Sequence, residues 1–279
     1  MSPEVGVLDE GAFDDLMEED PDEALSLLAD LSGATDERLR ALAHRLAARV
    51  LVDVARPPDP DSRRGVGRLR RGRLDADGGD VDLDASLDAL VAARRAGRPV
   101  AGEDLVVGAW RRPDTAVCLL VDRSGSMHGR RLATAAVTAA AVALRAGHHC
   151  SIVAFSRNAI VLASPDEPRP AGDVVVDLCR LRGFGTTDLG LALRVASHQL
   201  ARTRASRRLA IVLSDCRTTT GGDPLDDARA LEELVVLAPG DDTADAEAFA
   251  TAAGARWTPL HAPSQAPEAL DLLLRGPRQ

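Results

Sequence analysis

The sequence contains no lysine and no tyrosine, and aromatic residues make up only 2% of its 279 positions. Because a P-loop, a catalytic Schiff base and a kinase-type ATP site each need a lysine, this composition excludes all three. No apolar run approaches the ~18 residues that cross a bilayer. The acidic N-terminus also lacks the basic-then-apolar pattern of a signal peptide. We therefore expect a cytoplasmic protein without a membrane span.

Cysteine and histidine are scarce and scattered. The cysteines are widely separated and match no paired metal-ligand motif, and the six histidines lack zinc-binding spacing. A disulfide framework is not expected in a chain of this size and compartment. We predict four free thiols, at Cys118, Cys150, Cys179 and Cys216.

The charge is negative overall but unevenly distributed. A net charge of −9 disfavours general affinity for nucleic acids. Residues 1–37 hold thirteen carboxylates and no arginine, whereas residues 62–73 are strongly basic. The basic stretch has no interleaved aromatic residues on which bases could stack. One interpretation of this stretch is a solvated linker. The other is a binding surface, whose ligand would be RNA, an acidic partner or the acidic N-terminus. The sequence leaves these alternatives open.

Hydrophobic patterning divides the chain into three regions. Residues 1–61 begin acidic and continue as helices, one of which starts at Asp20-Pro21, a typical helix N-terminus. Residues 62–102 combine the Arg-rich linker or arm with one short helix. In residues 103–275, apolar strands, the first at 105–107, alternate with helices. This alternation predicts an α/β fold with a doubly wound, mainly parallel sheet, preceded by a smaller helical region.

One loop of the third region carries the most informative pattern. The apolar run 117–121 has the length of a buried strand and ends on Asp122, and Ser124 and Ser126 follow on a loop that contains glycine. Ligands of open α/β sheets bind at that edge. By itself the pattern also fits a serine-capped turn before a helix. Alternatively, one carboxylate and two hydroxyls form part of an oxygen cage for a hard divalent cation.

Two later segments can complete this cage. Thr187 lies in a glycine-rich junction between a strand and a helix, and the apolar run 209–213 ends on Ser214-Asp215. If the strands that end at Asp122 and Asp215 are neighbours, both carboxylates emerge at the same edge of the sheet. An oxygen-only set of two carboxylates and three hydroxyls selects Mg²⁺, Mn²⁺ or Ca²⁺ over zinc.

The three motifs together resemble the metal-ion-dependent adhesion site of von Willebrand factor A domains. Asp-x-Ser-x-Ser at 122–126, Gly-Thr-Thr-Asp at 185–188 and Ser-Asp at 214–215 follow in the family's order, and the resemblance covers residues 103–275. It implies that the three hydroxyls are metal ligands and that the two carboxylates act mostly through water. It also implies that a carboxylate of a partner completes the coordination sphere. The predicted metal site consists of Asp122, Ser124, Ser126, Thr187 and Asp215.

Three neighbouring residues need a separate interpretation. The family's last motif is commonly followed by glycine, whereas Cys216 and Arg217 follow it here. We expect Cys216 to pack without a redox role, and Arg217 could attract an acidic partner toward the rim. Asp188 is expected to cap the next helix and not to bind metal.

The expected function is that of a non-enzymatic, metal-dependent protein-binding module. The order of helical region, Arg-rich arm and A domain resembles bacterial CoxE-like proteins, which work with MoxR-type AAA+ ATPases, and more loosely the D subunit of magnesium chelatase. The resemblance implies a partner that presents Asp or Glu, such as a MoxR-type ATPase or its client. Nucleic acid is not expected as a partner.

Two other classes of function, a hydrolase and a scaffold, are considered. A metal-dependent, phosphatase-like hydrolase would use Asp122 as nucleophile. Hydrolases of the haloacid-dehalogenase type also need a second carboxylate, here at position 124, and a downstream lysine. Neither residue is present in this sequence. A serine hydrolase would need a Gly-x-Ser-x-Gly elbow around Ser124, which is also missing. The last alternative is a scaffold in which the metal only stabilises loops.

Overall fold

The computed structural model describes residues 10–32, 37–56, 68–73, 80–111, 115–125, 129–181 and 185–275. The chain divides into two compact units. One consists of residues 1–57 together with 115–279, and the other of residues 58–114. Of the predicted site residues, Ser126 lies outside the described residues.

Three helices open the first unit: α1 (Glu10–Glu19), α2 (Pro21–Leu31) and α3 (Glu37–Ala55). The predicted start of α2 is confirmed, because an Asp20 carboxylate oxygen accepts a hydrogen bond from the Glu23 backbone N–H at 3.0 Å and Pro21 occupies the first helical position. The apolar side of α2 buries Leu25 and Leu28 completely. These leucines belong to the same core as one face of the large sheet.

The second unit contains a small antiparallel sheet and a helix. Its elements are β1 (Arg68–Arg73), β2 (Asp80–Val81), α4 (Leu83–Arg95) and β3 (Val106–Arg111), with β3 between β1 and β2. β1 lies in the stretch predicted as a linker or extended arm. The strand predicted at 105–107 exists as β3, but it pairs with β1 and β2 and takes no part in the large sheet.

The rest of the first unit is a six-stranded sheet in the order β6-β5-β4-β7-β8-β9. Only β6, at one edge, is antiparallel to its neighbour. The strands are β4 (Thr115–Asp122), β5 (Cys150–Phe155), β6 (Ala159–Ala163), β7 (Arg207–Leu213), β8 (Glu233–Pro239) and β9 (Arg256–Leu260). The helices are α5 (Gly129–Ala146), α6 (Ala171–Arg180), α7 (Leu189–Ala201), α8 (Leu225–Arg229), α9 (Ala244–Ala253) and α10 (Ala266–Arg275).

Helices cover both faces of this sheet, as the predicted doubly wound fold requires. Along β4, Leu119 packs in a core with α2, α3, α5, α6 and α10. The next residue, Leu120, packs in a second core with α7, α8 and α9. The strand is apolar throughout because both of its faces are buried. The predicted α/β fold with a preceding helical region is therefore confirmed.

The strand order reverses beside β4, and this reversal positions the functional edge. The chain continues from β4 to β5 on one side and later returns to β7 on the other. β4 and β7 are parallel neighbours, with Val121 opposite Leu213. Residues that follow these two strands therefore emerge together at a topological switch point, where open α/β sheets bind ligands.

Because α2 shares a core with the sheet, its buried leucine should contribute to the stability of the whole unit. We expect Leu28→Ala to lower the free energy of unfolding by about 2–4 kcal/mol, the usual cost of truncating a fully buried leucine. Leu27, which is 42% exposed on the same helix, provides the matched control. Leu27→Ala should change stability by less than about 1 kcal/mol. Urea denaturation measures both, and equal effects would contradict a shared core.

Candidate metal centre

Asp122, the last residue of β4, is the anchor of the site. It is only 2% exposed, and both of its carboxylate oxygens accept hydrogen bonds. The Ser124 backbone N–H donates to Oδ1 at 2.8 Å, and the Ser214 hydroxyl donates to Oδ2 at 2.6 Å. The Ser214 oxygen in turn accepts the Cys216 backbone N–H at 2.9 Å. This network joins the loop after β4 to the loop after β7.

Burial raises the pKa of Asp122 above its ordinary value. Hydrogen bonds from Ser214 and Ser124 oppose this effect, whereas repulsion from Asp215 adds to it. Within the described residues, neither Asp122 nor Asp215 forms an ion pair with an arginine. The edge therefore holds two carboxylates that repel each other and that no ion pair of the described ranges offsets, although the charge of Arg217 also acts on Asp215.

Thr187 lies at the same edge, on the loop that leads into α7, and is 3% exposed. Its backbone N–H donates to the Thr219 hydroxyl at 2.8 Å, and its carbonyl accepts the Thr219 backbone N–H at 2.9 Å. The next residue, Asp188, donates its backbone N–H to the Ser156 carbonyl, just after β5, at 2.9 Å. Thr187 is thus held between the end of β5 and the loop that follows Asp215.

Asp188 caps α7, as predicted, because its Oδ1 accepts the Leu191 backbone N–H at 2.8 Å. Gly221 packs directly against this carboxylate with a left-handed φ of +91°. A Cβ at position 221 would lie 2.7 Å from Asp188 Oδ1, so only glycine fits without rearrangement. This close approach holds the loop after β7 against the loop that carries Thr187.

A cleft of about 450 Å³ opens beside Asp122. Three of the predicted residues, Asp122, Ser124 and Asp215, line it together, whereas Thr187 does not. Arg131 on α5 and Asp241 after β8 form an ion pair at 2.9 Å along the wall. The lining residues that the sequence did not predict are Arg130, Arg131, Thr134, Leu213, Ser214, Pro239, Gly240, Asp241, Leu260 and His261. Of these, only Ser214 belonged to a recognised motif, and its hydrogen bond to Asp122 was not foreseen.

Cys216 and Arg217, the two residues after the last motif, both have structural roles. Arg217 contacts Asp242 at 2.9 Å and Asp245 at 2.5 Å, so two carboxylates offset its charge and the idea that it attracts an acidic partner loses support. Cys216 is buried in the second core with a left-handed φ of 61°, a conformation that glycine adopts without strain. Burial also raises the pKa of its thiol, which agrees with a packing role.

Both ends of helix α2 are hydrogen-bonded to segments that adjoin the cleft. Near its C-terminus, Asp30 accepts a hydrogen bond from the Gly129 backbone N–H, the first residue of α5, at 2.6 Å. Near its N-terminus, Asp22 accepts hydrogen bonds from the backbone N–H and the hydroxyl of Ser264, which follows β9, each at 3.0 Å. The N-terminal region is therefore attached to α5 and to the segment after β9, both of which contribute residues to the cleft.

Residues 117–218 match the family model of the von Willebrand factor type A domain. The chain contains a von Willebrand factor type A domain. The matched segment of this A domain includes all five predicted metal-site residues, most of β4 and the whole of β7. No curated protein sequence matches the chain.

Several solved structures are similar to the chain. A von Willebrand factor type A protein from Catenulispora acidiphila is 17% identical, with a TM-score of 0.45, over 61% of this chain and 44% of that chain. An aerotolerance-related membrane protein from Bacteroides fragilis is 16% identical (TM-score 0.46; 57% of this chain, 98% of that chain). Proximal thread matrix protein 1 from the mussel byssus, with zinc in its adhesion-site motif, is 14% identical (TM-score 0.44; 58% and 47%). These values transfer no function to this chain.

The donor set at the edge suits a hard cation. Asp122 and Asp215 offer carboxylate oxygens, Ser124 and Thr187 offer hydroxyls, and oxygen ligands of this kind favour Mg²⁺, Mn²⁺ or Ca²⁺. In the described part of the chain, no three His, Cys, Asp or Glu side chains form a metal-binding group. A site with two carboxylates and hydroxyls does not need such a group. The residues present therefore fit a divalent ion.

In EDTA, the stability of the wild type relative to Asp122→Asn should fall as the pH rises, because burial opposes ionisation of this carboxyl. The folded state raises the Asp122 pKa above the ordinary 3.8, so it holds the proton more tightly than the unfolded state does. Relative to Asp122→Asn, the wild type should lose stability as the pH rises from about 4, until the pH exceeds the raised pKa. Unfolding free energies between about pH 4 and pH 8 test this. A difference that does not vary with pH would contradict it.

Proposed function

We propose that this A domain is a divalent-metal-dependent protein-binding module that captures a carboxylate of a partner. The metal site would comprise Asp122, Ser124, Ser126, Thr187 and Asp215, with Mg²⁺, or Mn²⁺ or Ca²⁺, as the ion. The observation that carries the proposal is the placement of Asp122 and Asp215 at the switch point of the sheet, as two neighbouring carboxylates that form no ion pair with an arginine in the described ranges.

The charge balance of this site explains why it would take up an acidic side chain. Two carboxylates neutralise a divalent ion, while the hydroxyls of Ser124, Ser126 and Thr187 add no further charge. When bound, the ion would supply an electrophilic centre on which an Asp or Glu of the partner can replace water. The cleft beside Asp122 leaves space for the segment that carries this residue.

The surroundings of Asp122 favour binding over catalysis. Both of its carboxylate oxygens already accept hydrogen bonds, and its side chain is almost completely buried, so it is poorly placed to attack a substrate. No lysine is present to assist a phosphoryl transfer of the dehalogenase type. The Cys216 thiol is also buried and has a raised pKa, which opposes nucleophilic chemistry there. We therefore propose a module without enzymatic activity.

The proposed partner is a protein such as a MoxR-type AAA+ ATPase or its client, in the cytoplasm. The support is the order of elements, in which a helical region and an Arg-rich segment precede the A domain. None of the helices in the described ranges is both long and apolar enough to cross a membrane. Attachment of α2 beside the cleft would place the N-terminal region next to a bound partner.

Metal binding can be separated from general electrostatics with two Asp→Asn variants. Asp215→Asn should abolish the stabilisation that Mg²⁺ gives to the wild type, which reaches about 2.7 kcal/mol when Mg²⁺ is at 100 times its dissociation constant. Asp188→Asn is the matched control, since it removes a carboxylate at the same edge but Asn still caps a helix well. Thermal unfolding with and without Mg²⁺ measures both. A lost response in both variants, or in neither, would contradict the proposed ligand set.

Partner capture tests the role of the metal in binding. Proteins that co-purify with the wild type should be lost on addition of EDTA, regained with excess Mg²⁺, and absent from Ser124→Ala. If EDTA lowers the melting temperature but leaves partner binding intact, the metal has only a structural role. That result would favour the scaffold alternative and overturn the binding proposal.

A further inference from the structure

A second concave surface lies between α3 and α6, away from the residues of the proposed metal site. It is a groove of about 680 Å³, within the size range of small-molecule sites. Among the described residues that line it, Glu37 is the only carboxylate. We call it the arginine groove, and its polar lining includes Ser32, Arg40, His44, Arg45, Cys179 and Arg180.

The positive charges of this groove are largely uncompensated. Arg40 and Arg45 form no ion pair with any carboxylate in the described part of the chain. Arg180 approaches Asp177 only at 3.7 Å, and Asp177 is engaged more closely by Arg169, at 2.7 Å. Three arginines therefore line one groove in a chain whose net charge is −9. Their mutual repulsion would be relieved by an anion.

Two polar residues of the groove, Ser32 and His44, are buried. The His44 Nε2 atom lies 3.1 Å from the Ser32 carbonyl oxygen, and the Ser32 hydroxyl donates to the Leu28 carbonyl at 3.0 Å. Burial lowers the pKa of His44, and the charges of Arg180 and Arg40 lower it further. Both effects favour the uncharged imidazole, and Ser32 and His44 are hydrogen-bonded within the protein. The arginines remain as the groups available to a ligand.

We propose that the arginine groove binds a small phosphorylated molecule through Arg40, Arg45 and Arg180. A phosphoryl group carries up to two negative charges and three acceptor oxygens, which match several arginines along one groove better than a single carboxylate does. No Phe, Trp or Tyr side chain lines the groove among the described residues, so recognition rests on the anionic group. The proposal does not depend on the metal site, since the two sets of residues do not overlap.

Isothermal titration of tripolyphosphate into EDTA-treated protein tests the proposal. The wild type should bind, and Arg40→Gln and Arg45→Gln should each weaken binding about tenfold, the usual effect of losing a hydrogen bond to a charged group. Arg49→Gln is the matched control, because Arg49 is exposed on the same helix but does not line the groove. It should retain wild-type affinity. Equal thermal unfolding of the three variants would show that each is folded.

Three results would overturn the proposal. One is a wild type that does not bind tripolyphosphate. Another is equal weakening by Arg49→Gln, which would show a general charge effect. The third is tighter binding of a hexaglutamate peptide than of tripolyphosphate, with the same dependence on Arg40 and Arg45, which would assign the groove to an acidic protein segment.

Discussion

The hydrogen bond from Ser214 to Asp122 joins the ends of β4 and β7, and the arrangement of the proposed metal site depends on it. Asp122 is an ionisable group in a place where burial opposes its charge. Donors from both loops, the Ser124 backbone N–H and the Ser214 hydroxyl, offset part of that cost. The same carboxylate thereby fixes the two loops that carry Ser124 and Asp215. A neutral, apolar residue at position 122 would leave Ser214 without its acceptor and both loops without a common anchor.

The sequence predicts an element of the fold well when the local residue pattern determines whether a helix or a strand forms. It predicts the element poorly when burial against distant parts of the chain determines this. The central strands β4 and β7 are predictable because both faces are buried and the apolar runs are continuous. Helix α6 was not predicted, since Gly172 and consecutive valines have low helix propensity. It forms because Val174, Val175 and Leu178 are buried in the core shared with α3 and α5. The strand at 106–111 was recognised, but pattern alone could not assign its sheet, which depends on pairing with distant residues.

The same distinction applies to the site. Asp122 and Asp215 were predicted at one edge because parallel neighbouring strands end together, a consequence of register. The Arg131–Asp241 pair and His261 were not, because they come from α5 and from the ends of β8 and β9, whose convergence is a tertiary effect. The contact between Asp30 and Gly129 joins residues 99 positions apart and carries no local signal. It attaches the helical region to α5, which lines the cleft, so this region is not only a preceding segment.

The four buried cysteines can serve as internal probes of motions within the domain. Cys150 and Cys179 lie in the core that includes α5 and α6, whereas Cys118 and Cys216 lie in the core that includes α7 and α9. All four are free thiols without appreciable solvent exposure. A thiol-reactive reagent can modify each one only when the layer around it opens. The native chain thus carries two internal probes on each side of its sheet, and their relative alkylation rates report the opening of the two layers separately.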